Sequence, residues 1–555
     1  MKKLIVVYLI SFLIAFLNIF QVVWYEAKTP YNTQYLAPDG HYPIDYFAYL
    51  ISIAQGFRGK WQLVNLLTSE NTPSYWVISW PYLLIGHFSR IFGLLPQFGY
   101  WIAVFGLTFL IIFITYFLIK ITLAKNKFLV FPVFLIYIFA GPFWQINNLN
   151  PLKIDFFPLT WYYKTLIFSR LSAIPHHLFA NLLILLFFLF SYYFFENFLK
   201  KIHSRKNFFY FLAITFVLVL IFSLTPIKIT YLFFTFILTF IYCFFLHYRH
   251  KISFRLFFFK ILFYLIPLGL LLLFFGLYFQ KNSQGAFLPE LKTFEKEEME
   301  FPSLKNFLLG SGPLLILGII AFWLLIFTGF NQISPFLFLG LTATFLSYLL
   351  FYTPFSAFFN NHNSRLLFGE SYLFFSITLG LSLEKIALKL KLNPKKLIIF
   401  FLLFFTLFSL PAWYAYLPTR LETDPFFEKN YRYLPLEIIE GLTYLNTKSN
   451  SQTIILTPPN FLGLILPVFV EGRVFCGSPS GTHQYYPKAL MAANFYGEKT
   501  SIEEKIKFLK ENKIKYVIYV SPDLDPNLPD YISKNFSKLN LKLIFSNSKI
   551  KIFEF

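Results

Sequence analysis

The chain has 555 residues, of which 57% are hydrophobic, 22% aromatic and only 14% charged, with a mean hydropathy of +0.59. A soluble chain of this length could not cover so much apolar surface, so the composition excludes a water-soluble globular protein and indicates a polytopic membrane protein. The formal net charge of +21 would suit a nucleic-acid binder, but the Lys and Arg residues fall in alternate loops between apolar stretches, so no nucleic-acid partner is implied.

Apolar stretches of span length predict about eleven transmembrane helices. They fall at roughly 4–24, 98–119, 128–146, 174–199, 208–225, 228–247, 256–279, 306–328, 334–351, 366–384 and 397–416. The first begins MKK and lacks a small-residue cleavage site, so it reads as a signal anchor. Basic residues gather at Lys2 and Lys3, Lys120 to Lys127, Lys200 to Lys206, Arg249 to Arg255 and Lys385 to Lys396. Their side of the membrane is the cytoplasmic one, which puts the N-terminus inside and, with an odd number of spans, the C-terminal segment outside. The expected location is the plasma membrane, crossed many times. The two cysteines, Cys243 in a span and Cys476 in the tail, imply no disulfide framework.

Residues 25–97 form a long polar loop on the external side. Within it, Asp45, Tyr49, Ser52 and Gln55 share one helix face, while Tyr46, Phe47, Leu50, Ile51 and Ile53 share the other. The pattern predicts a helix lying flat in the headgroup layer, apolar side down. Trp76–Leu95 is apolar but carries Pro81, His87 and Arg90, and reads as an interfacial or half-inserted helix, since a twelfth span would invert the basic loops.

Asp45 has two readings. Behind Pro43, it favours the start of a helix through the helix dipole. It also suits a general base that takes a proton from an acceptor hydroxyl at the membrane surface. Asp39, in APDGH, reads as a turn residue and is the backup base. Glu70 is either a loop residue or a second carboxylate that orients the acceptor. His176 and His177, behind Pro175, are poorly spaced for a metal, but they start a helix whose free N–H groups suit a phosphate, with Arg170 a turn earlier. The alternative for them is an interfacial anchor. Arg365, at the external end of a span, either snorkels to headgroups or grips a lipid phosphate. The acidic run Glu290, Glu295, Glu297, Glu298 and Glu300 could in principle hold a hard divalent cation, but a solvated acidic loop is the simpler reading, so no cofactor is called for. Asp523-Leu524-Asp525 sits in a turn between two prolines and reads as coincidence with a nucleotide-sugar motif.

From about Thr419 the pattern changes to short β-rich runs (QTIILT, RVFCG, KYVIYV, LKLIFS, IKIFEF) between helix-like LEIIEGLTYL and IEEKIKFLKENK. This predicts a small α/β domain over 419–555, as a three-layer sandwich, after a membrane domain over 1–418.

The series Asp45-x3-Tyr49-x9-Gly59-Lys60-Trp61, Thr68-Ser69-Glu70, Ser74-Tyr75-Trp76 and Leu83-Leu84-Ile85-Gly86 resembles the first external loop of GT-C glycosyltransferases, nearest in pattern the aminoarabinose and protein O-mannosyl transferases. The resemblance implies a GT-C-like membrane domain, a polyprenyl-phosphate sugar as donor, a lipid, glycan or protein hydroxyl as acceptor, and Asp45 as catalytic base. Cys476-Gly477-Ser478, Thr482 and Lys488 are similar to a Gly…Thr…Lys pattern of related enzymes. That loop would either close over substrate, with Lys488 and Tyr49 in contact with it, or only dock the tail. The chain departs from the aminoarabinose pattern at Tyr46, where an acidic residue is usual, and at Ala48, where Arg is usual. Two other readings stay open: a transporter or flippase for lipid-linked saccharides, and an inactive GT-C-like scaffold. Against the transporter, the ionisable groups lie in loops and Pro132, Pro142 and Pro267 are not paired in two halves.

Overall fold

A computed structural model describes residues 2–39, 42–149, 152–157, 159, 165–202, 204–248, 251, 253–282, 295–329, 333–367, 369–421, 431–458, 461–521, 524, 535 and 537–555. Glu290, Asp523 and Asp525 lie outside them. The first helices and strands are α1 (Lys2–Leu17), α2 (Phe20–Glu26), β1 (Thr33–Tyr35), α3 (Pro43–Phe57), α4 (Trp80–Phe92), α5 (Pro96–Thr122), α6 (Val130–Phe139), β2 (Trp144–Leu149) and β3 (Leu152–Phe156). There follow α7 (Ile167–Leu171), α8 (Pro175–Lys200), α9 (Arg205–Leu224), α10 (Pro226–Cys243), α11 (Phe254–Asn282), α12 (Leu304–Ser311), α13 (Pro313–Gly329), α14 (Pro335–Phe351), α15 (Ser371–Lys389) and α16 (Pro394–Thr419). The tail adds β4 (Tyr433–Pro435), α17 (Leu436–Asn446), β5 (Ile454–Leu456), α18 (Phe461–Phe469), β6 (Arg473–Val474), α19 (Tyr485–Tyr496), α20 (Ile502–Glu511), β7 (Ile514–Val520), β8 (Lys542–Ser546) and β9 (Ile550–Glu554).

Among the described residues seven helices are long and apolar enough to cross a bilayer: α5, α8, α9, α10, α11, α15 and α16. Two interrupted pairs, α1 with α2 and α12 with α13, raise the number to nine if each is one span. The protein is thus a multi-pass membrane protein, and helices stand at the places expected, but not all as straight spans. Residues 306–328 bend by 98° between α12 and α13. Gly312 makes the bend at φ +78, a backbone angle open to glycine, and Pro313 starts the next helix. At 128–146 the helix is only 10 residues, about 15 Å against a hydrocarbon core of about 30 Å. The chain then turns into the β2–β3 hairpin. Hydropathy reports apolarity over a window and is blind to both interruptions.

The chain forms two compact units. One comprises Met1–Asn18, Val104–Phe279 and Lys292–Thr419; the other gathers Ile19–Ala103, Gln280–Leu291 and Arg420–Phe555. In the first, α8 packs on α9, α10 on α14, and α13 on α15. In the second, the strands order as β6-β5-β7-β9-β8, parallel from β6 to β7 and antiparallel from β7 to β8. The five tail strands and both helices expected from the sequence are present, α20 with a capping box of Ser501 and Glu504.

The loop of residues 25–97 is built into this second unit. β1 pairs antiparallel with β4, Thr33 facing Pro435 and Tyr35 facing Tyr433. Farther on, Val474 N–H donates to the Leu66 carbonyl at 2.9 Å and Gly477 N–H to that of Leu67 at 3.2 Å. These bonds complete backbone groups that would otherwise be exposed at the β6 edge of the sheet.

α3 forms where expected, with Pro43 in its first turn, but its apolar face does not meet lipid headgroups. Tyr46, Phe47, Leu50 and Ile53 are each 0% exposed. α4 and α18 cover that face, the Tyr46 ring meets Tyr100 edge-on at 5.2 Å, and its hydroxyl donates to the Leu36 carbonyl at 2.7 Å. An apolar helix face reads the same in sequence whether lipid or protein covers it; here the cover is protein. α3 and α4 cross at Gly56 and Gly86, so closely that a Cβ on Gly86 would stand 2.2 Å from the Ile53 carbonyl oxygen. That contact is backbone, which no rotamer change relieves. Gly86→Ala is expected to destabilise this unit by about 1–3 kcal/mol, read as a lower unfolding midpoint.

Candidate active site

In the loop-and-tail unit the polar stripe of α3 divides into two halves. Asp45 stands in the first turn and is exposed, and Tyr49, one turn on, stacks on Tyr82 at 4.9 Å with rings 7° from parallel. Ser52 and Gln55 are buried. The Gln55 amide holds the Val64 main chain at both ends, donating to its carbonyl and accepting from its N–H at 3.0 Å each. Ser52 and Gln55 line a small cavity of ≈ 90 Å³ together with Asn65, Tyr75 and Ser480. The Gly59-Lys60-Trp61 motif is architectural. Gly59 takes φ +90, Lys60 pairs with Glu471 at 2.9 Å, and Trp61 stacks on His87 at 3.9 Å.

The other two carboxylates between residues 27 and 97 are committed to the tail. Asp39 forms a buried pair with Arg432, each side chain 1% exposed, at 2.7 Å from Nη2 and 2.9 Å from Nε to Oδ1. The Tyr35 hydroxyl donates to its Oδ2 at 2.5 Å, and the guanidinium lies 3.7 Å over the Tyr25 ring. The DG pair in APDGH therefore marks more than a turn. Its Asp joins β1 to the β4 region through a side chain only 1% exposed. Arg432 went unseen in the sequence because nothing near it is periodic or motif-like.

Glu70 and Lys488 are brought together. Lys488 Nζ donates to Glu70 and, at 2.8 Å, to the Ser69 hydroxyl, while the Thr68 hydroxyl also donates to Glu70. Thr482 Oγ1 accepts from Gly477 N–H at 2.8 Å and Ser478 N–H at 3.1 Å and donates to the Leu67 carbonyl. The Gly…Thr…Lys segment thus latches the tail onto Thr68-Ser69-Glu70. Burial pushes the Glu70 carboxyl up, but the Lys488 and Thr68 hydrogen bonds pull it down by more, leaving it below the ordinary glutamate value. A carboxyl lowered in the folded state adds stability above its unfolded pKa of about 4.3, and that stability is lost as pH falls through the folded value. The melting temperature of the wild type is expected to drop more steeply between about pH 5 and 3 than that of Glu70→Gln.

The helical unit holds the other candidates. Arg170 is buried between the rings of Tyr137 and Tyr372, 4.7 and 4.6 Å from their centroids, and donates to the Tyr137 carbonyl at 2.7 Å. His176 and His177 start α8, their rings 4.3 Å apart and 75° from parallel, with His177 Nδ1 3.5 Å from the Ser172 hydroxyl. Arg365 sits on a short 3-10 turn, Asn363–Leu366, and grips Glu295 through Nε at 2.7 Å and through Nη2. Its charge acts on both His176 and Lys228, and Lys228 in turn on Glu370. Lys228, at the start of α10, belongs to no motif in the sequence. Its place beside Arg365 depends on how α10 packs against that turn.

No family model matches the chain, and no curated protein matches it in sequence. Solved structures do resemble it. The archaeal oligosaccharyltransferase AglB from Archaeoglobus fulgidus, in complex with an inhibitory peptide and a dolichol-phosphate, superposes with a TM-score of 0.50 at 12% identity, over 96% of this chain and 70% of that one. The chain has the GT-C fold. The same enzyme tethered with an acceptor peptide gives a TM-score of 0.47 at 13% identity, over 93% and 69% of the two chains. ArnT from Cupriavidus metallidurans bound to undecaprenyl phosphate gives 0.46 at 10% identity, over 100% and 98%.

At 12% identity the likeness to AglB is one of fold. The GT-C fold gathers no set of three or more His, Cys, Asp or Glu side chains fit to hold a metal ion among the described residues. What it does present is a carboxylate exposed at Asp45 and, in the helical unit, two cations, Arg365 and Lys228, that act on one another, with Glu370 acting on Lys228.

Proposed function

We propose that the protein is an inverting glycosyltransferase of the plasma membrane, with its N-terminus cytoplasmic and its tail outside. A sugar leaves a polyprenyl-phosphate donor on the external face and joins a hydroxyl of a lipid, glycan or protein. The Asp45 carboxylate takes the hydroxyl proton as the acceptor oxygen bonds to the anomeric carbon. The bond from that carbon to the phosphate oxygen breaks, and the electron pair leaves with the phosphate. Arg365, with Lys228, neutralises the departing charge and His176 or His177 donates a hydrogen bond to it, an effect worth several kcal/mol when donors are already in place. Glu70 and Lys488 hold the loop that carries this chemistry, and Tyr49 offers its ring to the acceptor.

The observation that carries the reading is the exposure of the Asp45 carboxylate in the first turn of α3, at the head of the polar stripe that Tyr49 continues. The GT-C fold shared with AglB supports it. The test is transfer of radiolabelled sugar from a panel of polyprenyl-phosphate donors to membrane acceptors, in membranes containing the wild type or none. Transfer above the empty membrane establishes the activity. Net movement of lipid-linked sugar across the bilayer without transfer would instead establish a flippase.

A further inference from the structure

We propose that Glu295 occupies the seat of the donor phosphate on Arg365 and is displaced by it, so that this carboxylate sets how tightly a polyprenyl phosphate is held and how readily the spent one leaves. The inference rests on the phosphate role of Arg365 proposed above.

The geometry of the pair is that of an anion seat already filled. Glu295 Oε2 accepts from Arg365 Nε at 2.7 Å and from the His362 backbone N–H at 3.2 Å, while Oε1 accepts from Nη2. Two parallel donors on one edge of a guanidinium suit carboxylate and phosphate oxygens alike. A phosphate entering this seat would use the N–H groups that now hold Glu295. Both cannot use them at once.

Accessibility separates this pair from the buried one. The Arg365 and Glu295 side chains are 24% and 31% exposed, whereas those of Arg432 and Asp39 are 1% and 1% exposed. Exchange of partners at Arg365 needs no unfolding, and the leaving carboxylate passes into water, which solvates it well.

The surrounding contacts allow the exchange. The acidic segment is fastened separately at Glu300, whose N–H donates to Asn363 Oδ1 at 3.1 Å and whose carbonyl accepts from Asn363 Nδ2 at 2.5 Å. Asn363 also donates to the Phe351 carbonyl at 3.1 Å. Glu295 can therefore swing away while its segment stays attached five residues on. The turn that presents Arg365 is itself rigid, since the buried His362 holds Ser364 through both its hydroxyl and its N–H, the latter at 3.0 Å. Charge points the same way. Lys228 acts on Arg365 as a second cation, with Glu370 set against Lys228, so removing Glu295 leaves the Arg365 guanidinium as the cation that calls for an anion.

Binding of undecaprenyl phosphate to the full-length protein in nanodiscs, followed by native mass spectrometry, tests this apart from catalysis. Glu295→Gln keeps the shape and removes the competing charge, and is expected to bind the probe about 2–5-fold more tightly, the scale of one part-exposed charge pair. Glu295→Asp should fall between that variant and wild type. Arg365→Gln should bind at least about tenfold more weakly. Weaker or unchanged binding by Glu295→Gln, with Arg365→Gln still impaired, would show that Glu295 only props the guanidinium and would overturn the inference while sparing the phosphate role of Arg365. Unchanged binding by Arg365→Gln would overturn both. A melting curve on each variant excludes misfolding, and Glu295→Asp, which keeps the pair, gives the same ordering if Glu295→Gln fails to fold.

Discussion

Asp45→Asn is expected to slow sugar transfer by about 10²–10⁴-fold, the loss that follows removal of a positioned general base. The substitution keeps size and hydrogen-bonding shape and removes only the ability to take a proton. Asp45 is exposed in the first turn of α3, where the helix dipole adds about 0.3–1 kcal/mol to folding. Expression and melting temperature should hardly move. The loss should fall on kcat with little change in KM for the donor, because the proton shifts in the transition state and the donor is held elsewhere. Equal transfer by wild type and variant at matched protein levels would remove Asp45 from the chemistry and assign the proton to another group.

Asp39→Asn should have the opposite signature. It leaves the Arg432 guanidinium, 1% exposed, without its counter-charge in the core of the loop-and-tail unit. Stranding a buried charge in this way costs about 3–5 kcal/mol, a large share of the stability of most domains. The protein is expected to express poorly, melt early and become sensitive to protease in the loop and the tail together, since the pair joins residues 393 apart. Arg432→Met alone should be nearly as harmful, leaving Asp39 stranded instead. The double substitution Asp39→Asn with Arg432→Met should recover most of the loss, because an uncharged pair of similar volume needs no counter-ion. A catalytic Asp39 would behave otherwise: Asp39→Asn would fold normally and lose activity, and Arg432→Met would not rescue it.

These two outcomes also separate what was legible in the sequence from what was not. Asp45 was found from the helical spacing of Asp45, Tyr49, Ser52 and Gln55, a local pattern. Asp39 sat equally close in the same loop, and its commitment to Arg432 left no mark on either segment. The same holds for Glu70 with Lys488, 418 residues apart, and Arg365 with Glu295, 70 apart. In each case the chain shows a charge and leaves its partner unnamed.

By itself the amino-acid order determined the membrane class, the positions of the apolar helices, the alternation of strands and helices in the tail, and the loop residues that resemble GT-C transferases. All of these depend on composition or on periods of two and 3.6 residues, which a short window contains. The tertiary structure alone decided that the apolar face of α3 is covered by α4, α18 and Tyr100 instead of lipid, that the loop and tail share one unit, and which carboxylates are spent on ion pairs. It also decided that residues 306–328 break at Gly312. Burial and pairing depend on which distant surface arrives, and the hydrophobic effect that drives them is non-directional, so a local pattern records that a face must be covered and not what covers it.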